Sequence, residues 1–88
     1  MRILHLTLKK EYFDLIASGE KTEEYRERKP YWMSRLLGRT YDEIHFRNGY
    51  RPDSPFMRVE CKGIIPSQSH YVIKLGKVLE SPSGVEEK

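Results

Sequence analysis

Ile16-Ala17-Ser18-Gly19-Glu20-Lys21-Thr22-Glu23-Glu24-Tyr25-Arg26-Glu27 carries the change from helix to strand around which the rest of the chain is organised. Just before it, Tyr12, Phe13, Leu15 and Ile16 recur at helical spacing, and Glu11 and Asp14 suit the positive end of a helix dipole. Gly19 follows that apolar face directly. Only glycine enters the left-handed region without a Cβ penalty, so it reads as the helix stop. If Thr22 to Arg28 is extended, its side chains alternate between two faces. Thr22, Glu24, Arg26 and Arg28 then share one face, and Glu23, Tyr25 and Glu27 the other. Glu24 and Arg26 become neighbours, whereas Lys21 has the opposite parity and joins them only by swinging around the turn.

Working outward, residues 2–9 alternate Leu4, Leu6 and Leu8 against Ile3, His5 and Thr7, the period of a strand with one face on a core. Pro30 breaks regular structure after the charged strand. Tyr31 to Leu37 reads as a short helix offering Trp32, Leu36 and Leu37 to a barrel end, stopped by Gly38. Tyr41 to Arg47 alternates Ile44 and Phe46 against Glu43, His45 and Arg47, and Asn48-Gly49 marks a turn. Phe56 to Ile65 is a strand with Met57, Val59 and Cys61 inward and a bend at Gly63. Tyr71 to Leu79 is the last strand, with a bulge or corner at Gly76. The expectation is a mainly β, α+β pseudo-barrel of about five strands with one or two short helices, spanning 1–80. Residues 81–88 have nothing to bury and are expected to form a disordered tail. Periodicity by itself fits any small barrel.

The chain has 88 residues, 38% apolar and 33% charged, which fits one small globular domain. No run approaches the roughly 18 apolar residues of a membrane span, and the few aliphatics before Lys9-Lys10 do not make a signal peptide. A cytoplasmic protein with no membrane partner is expected. The single cysteine, Cys61, excludes an internal disulfide and reads as a small core residue. His5, His45 and His70 are scattered without metal-ligand spacing, so neither metal nor cofactor is expected. A net charge of +3 is compatible with phosphate-bearing partners and does not demand them. Nothing in the sequence sets an oligomeric state.

Gly19, Lys21, Glu24 and Arg26 reproduce a G-x-K-x-x-E-x-R pattern, and in this the chain resembles ASCH domains, relatives of the PUA RNA-binding barrel. The opening Leu4-His5-Leu6-Thr7-Leu8-Lys9, the helix Tyr12 to Ile16, Phe46-Arg47-Asn48-Gly49-Tyr50 and the closing Tyr71 to Glu80 are similar to small ASCH proteins in order and spacing. The resemblance implies a PUA-like fold and a cleft for RNA or a nucleotide-like small molecule, lined by Lys21, Glu24 and Arg26. Gly19 is the motif glycine, and Arg28 and Tyr50 are added as ligand-binding candidates. The side chains suit such a ligand. Arg26 offers a planar fork to phosphate or a base edge, Lys21 a compact cation, and Glu24 an acceptor for exocyclic amines or ribose hydroxyls. Tyr25, Tyr31, Trp32 and Tyr50 lie near Arg28, Lys29, Arg47 and Arg51, the mixture of aromatic and cationic groups on which single-stranded RNA is read.

Other readings stand beside this one. By spacing alone, a strand bearing Glu, Lys and Arg is a solvated face with ion pairs of about 0 to 1 kcal/mol. Tyr31 and Trp32 read first as barrel plugs and His5 as a structural histidine. Whether the chain is an enzyme is left open, with Lys21 and Glu24 as the catalytic candidates. One branch of the resembled family cleaves acetylated cytidine with a lysine-activated threonine and a glutamate. Lys21 matches that lysine, but Glu24 stands where that branch has threonine. A lysine acts as general base only as the free amine, and an adjacent carboxylate favours the ammonium. Hydrolysis of RNA at the same cleft is a further alternative, and a protein-interaction module is the third.

Overall fold

The computed structural model describes residues 1–83, and the final five residues of the expected tail lie outside the described residues. Five strands and two helices follow one another as β1 (Ile3–Thr7), α1 (Lys10–Ser18), β2 (Glu23–Glu27), α2 (Pro30–Leu36), β3 (Glu43–Arg47), β4 (Phe56–Pro66) and β5 (His70–Ser83). The strands form one curled sheet in the order β1-β3-β4-β5-β2. The β1–β3 pair is parallel and the other three are antiparallel. This is the expected mainly β, five-stranded pseudo-barrel with two short helices. The last strand runs further than expected. It continues through Ser83, which pairs with Phe56, so the first three residues assigned to the tail belong to the sheet.

Alternation puts Leu4, Leu6, Ile44, Phe46, Met57, Val59, Tyr71, Ile73 and Leu75 on the inner face, where they are buried with Phe13 and Ile16 of α1 and Leu36 of α2. At roughly 25 cal/mol per Å² of apolar surface removed from water, this shared face is the main favourable term holding the sheet in its curl. Tyr12 and Leu15, which share the helical spacing, are exposed instead. Nine residues are too short to bury a wide stripe. In α2 it is Leu36 that enters the core, whereas Leu37 just beyond the helix is exposed and Trp32 is half-buried. Cys61 packs at the core margin, and burial pushes its thiol up from its ordinary value, which makes it a poor nucleophile.

Four register shifts between Phe56 and Gly63 let the long β4–β5 ribbon bend, and two of them fall at glycines. Val59 pairs with Val78 and Cys61 with Leu75, so β5 carries an extra residue opposite Glu60, at the Gly76-Lys77 step. The Glu60 carboxylate accepts a bond from the Lys77 N–H there at 3.3 Å. Gly63, at φ +139°, marks a compensating shift in β4.

The edges β1 and β2 do not pair with each other among the described residues. A side chain ties this seam in place of backbone. Arg26 of β2 donates from Nη2 to the Thr7 carbonyl of β1 at 3.3 Å. Asn48, expected only as a turn residue, donates from Nδ2 to the Leu8 carbonyl at 2.9 Å. The Arg26 bond satisfies a carbonyl that the open sheet edge leaves without a partner, whereas the Asn48 bond fastens the end of β3 to that of its paired neighbour β1.

Candidate functional site

The helix-to-strand junction places the first cation. Gly19 takes φ 87° and its N–H donates to the Ile16 carbonyl at 3.1 Å, the left-handed stop expected from sequence. Two residues on, the Lys21 N–H donates to the Leu15 carbonyl at 3.0 Å, which pins the lysine backbone against the helix end. From there the side chain passes over the Tyr25 ring, with Nζ 5.0 Å from its centroid and 5.7 Å from that of Tyr12. It arrives 3.6 Å from Glu24 Oε1. The swing that strand parity forbids is therefore made, and aromatic faces guide it.

Glu24 is the hub. Its register partner is Ile73, on the inner face, so the carboxylate is drawn in and buried. Oε2 accepts from Arg26 Nε at 3.1 Å and lies 2.9 Å from Nη2. The guanidinium stacks on Trp32, 4.9 Å from the ring centroid. The three charged side chains are 18%, 10% and 17% exposed for Lys21, Glu24 and Arg26, well below a solvated strand face. At that burial a charge is tolerated only when partnered.

The cluster separates two depressions. One, of ≈270 Å³, is lined by Tyr12, Lys21, Glu24 and Tyr25. The other, of ≈170 Å³, is lined by His5, Leu6, Thr7, Arg26, Tyr31, Trp32 and Tyr50. Arg26 uses its guanidinium to hold the seam, whereas the Lys21 ammonium makes no hydrogen bond among the described residues. Its ion pair with Glu24 is too long to be one. The ammonium thus has donors to spare at the larger depression.

Of the other sequence candidates, Tyr50 reaches the Arg26 depression and is exposed there. Arg28 does not join the cluster. The strand ends at Glu27, and Arg28 turns to donate to the Ser67 carbonyl at 2.7 Å while lying over Tyr71. Thr22 lines a separate depression with Glu23, Lys62, Ile65, Lys74 and Leu75, so it is not the missing threonine of an amidohydrolase. Tyr31 and Trp32 line the Arg26 depression, Trp32 packing against the core as well while Tyr31 is exposed, and His5, read first as structural, borders the depression too.

A second charged cluster was not anticipated from sequence. Glu43 is buried although it is a strand residue on the face opposite the core. Arg58 grips it with Nε to Oε1 at 2.9 Å and Nη2 to Oε2 at 2.8 Å, and His45 Nε2 lies 3.0 Å from Oε1. Arg58, then His45, hold the Glu43 carboxyl at about 2, below the usual carboxylate range. A group depressed in the folded state contributes stability above its unfolded value, and that contribution fades as pH falls from about 4.5 through about 2. Glu43→Gln is accordingly expected to be less stable than wild type at pH 7. The gap should close on acidification through that window, as read from urea midpoints taken at successive pH values. The alternation of Glu43, His45 and Arg47 was visible in the sequence, but Arg58 enters only through the β3–β4 register.

Among the described residues no helix is long and apolar enough to cross a membrane, and no three metal-ligating side chains form a group. Comparison with family models, with curated proteins and with solved structures gave no significant match to this chain.

Proposed function

We propose that the chain binds RNA or a nucleotide-like ligand across the β1–β2 seam, with Lys21, Glu24 and Arg26 as the polar contacts. The observation that carries this reading is the Lys21 ammonium, half-buried beside Glu24 and over two tyrosine rings with its hydrogen-bond donors unused. A compact cation with free donors suits a phosphate oxygen or a base carbonyl, and Glu24 beside it suits an amine or hydroxyl donor. Flanking aromatic faces, Tyr12 and Tyr25 on one side and Trp32 and Tyr50 on the other, provide stacking platforms. The ASCH resemblance of the Gly19-Lys21-Glu24-Arg26 pattern supports the same ligand class.

Neutralising the whole cluster tests the reading without leaving one buried charge alone. Lys21→Gln, Glu24→Gln and Arg26→Gln combined should weaken binding of a short single-stranded RNA at low salt by about tenfold or more. The log–log salt slope should shrink by about 1.4 if both cations meet phosphates of a single strand. Fluorescence anisotropy titration reads both quantities. Unchanged affinity in the folded triple variant rejects the site, and no RNA or nucleotide binding by wild type rejects the function in favour of a protein-interaction module.

A further inference from the structure

His45 stands on the face of β3 turned away from the core, paired in register with His5 of β1 and Arg58 of β4. Its Nε2 meets Glu43 Oε1 at 3.0 Å, and the Arg58 grip keeps that carboxylate ionised. An ionised carboxylate only accepts hydrogen bonds, so Nε2 carries the hydrogen and the lone pair of neutral His45 resides on Nδ1. Among the described residues Nδ1 has no hydrogen-bond partner and is not one of the buried atoms lacking one, so it is open to its surroundings. Those surroundings are a cavity of ≈300 Å³ lined by His5, Leu6, Thr7, His45, Arg47 and Phe56.

The same cavity holds a second imidazole and a fixed cation. The His5 ring meets the His45 ring edge-on, with centroids 5.4 Å apart, and makes no hydrogen bond among the described residues. Arg47 donates from Nη1 to the carbonyls of Pro52 at 3.3 Å and Ser54 at 3.2 Å and lies over Phe56, and its Nε and Nη2 have no acceptor among the described residues. Among the described residues no hydroxyl or thiol is hydrogen-bonded to either histidine. An oriented base to which no protein hydroxyl is bonded suits a substrate that brings its own nucleophile, and in RNA each 2′-hydroxyl lies beside the phosphate it can attack. His5, Leu6 and Thr7 also line the Arg26 depression, so a strand seated at the seam continues into this cavity.

We propose that His45 and His5 form an acid–base pair that cleaves the RNA strand held at the seam; this rests on the RNA reading above. His45 Nδ1 takes the proton of the ribose 2′-hydroxyl, O2′ bonds to phosphorus, and the P–O5′ bond breaks. Protonated His5 gives its proton to the departing O5′. The products are a 2′,3′-cyclic phosphate and a free 5′-hydroxyl, with no oxidant, metal or water consumed in the step. Arg47 faces the phosphate oxygens, and Glu43, itself held by Arg58, is a positioning residue that fixes the tautomer and aim of His45.

The test is cleavage of a labelled single-stranded RNA by the full chain in EDTA, with product ends identified by mass spectrometry. Expected are cyclic phosphate ends, no cleavage at a linkage whose 2′-hydroxyl is replaced by hydrogen, and losses of about 100-fold or more in kcat for His45→Ala and His5→Ala. Exposed His5 provides the variant least coupled to folding, and Glu43→Gln should lower kcat with KM unchanged. Intact RNA that nevertheless binds overturns this proposal and leaves the binding function standing. Absence of RNA binding overturns this proposal, and absence of nucleotide binding as well overturns the binding function. Wild-type rates in either histidine variant, cleavage that EDTA abolishes, or equal cleavage of the 2′-deoxy linkage also overturn it.

Discussion

Glu24→Ala is expected to lower the unfolding free energy by about 3 kcal/mol, far more than loss of a surface ion pair. The reason is what it leaves behind. Lys21 and Arg26 are both largely withdrawn from water and both point at this one carboxylate. Removing it strands two cations beside each other and unfastens the Arg26 guanidinium that bridges β2 to the Thr7 carbonyl. Glu24→Gln keeps the shape and an acceptor, so it should fall between the two. Chemical denaturation of the three proteins checks this, and a Glu24→Ala loss no larger than about 0.5 kcal/mol would place the cluster among ordinary surface pairs.

Phe46→Ala is expected to cost about 4 kcal/mol. Phe46 is fully buried on β3, which lies between β1 and β4 and so ties the parallel and antiparallel parts of the sheet together. The cavity left there is hemmed by strands on both sides, so it cannot collapse easily. Against the roughly 5 to 15 kcal/mol typical of a domain, and less for one this small, such a loss brings the protein near its unfolding threshold. A thermal melt should shift down by well over 10 °C. A shift of a few degrees would mean that the core around β3 repacks freely.

Local signals were the legible ones. The Leu4-Leu6-Leu8 alternation, the Gly19 stop and the inward Ile44, Phe46, Met57 and Val59 follow from backbone geometry and burial alone, and all are present in the fold. The Glu24–Arg26 pairing followed from strand period. Arg28 failed the same rule because β2 stops one residue short of it, a boundary that depends on where β5 begins. Lys21 needed the rings of Tyr12 and Tyr25 to guide it, and a parity argument contains no such contact. The Glu43–His45–Arg58 group was invisible for a different reason. Its arginine arrives from a neighbouring strand, and only the register brings it opposite His45. The same limit hid the open seam, since no pattern within β1 or β2 says that a guanidinium will bridge their edges.

On the proposed function, a ligand lands at the seam cluster. The most direct measurement is a two-dimensional NMR titration of the wild-type chain with a short single-stranded RNA at low salt, following backbone amides and the Trp32 indole N–H. Saturable shifts concentrated at residues 19–26, at Trp32 and at Tyr50 are expected. Shifts confined to Lys62, Ile65 and Lys74 of the separate depression, or no shifts with any RNA or nucleotide, would exclude it.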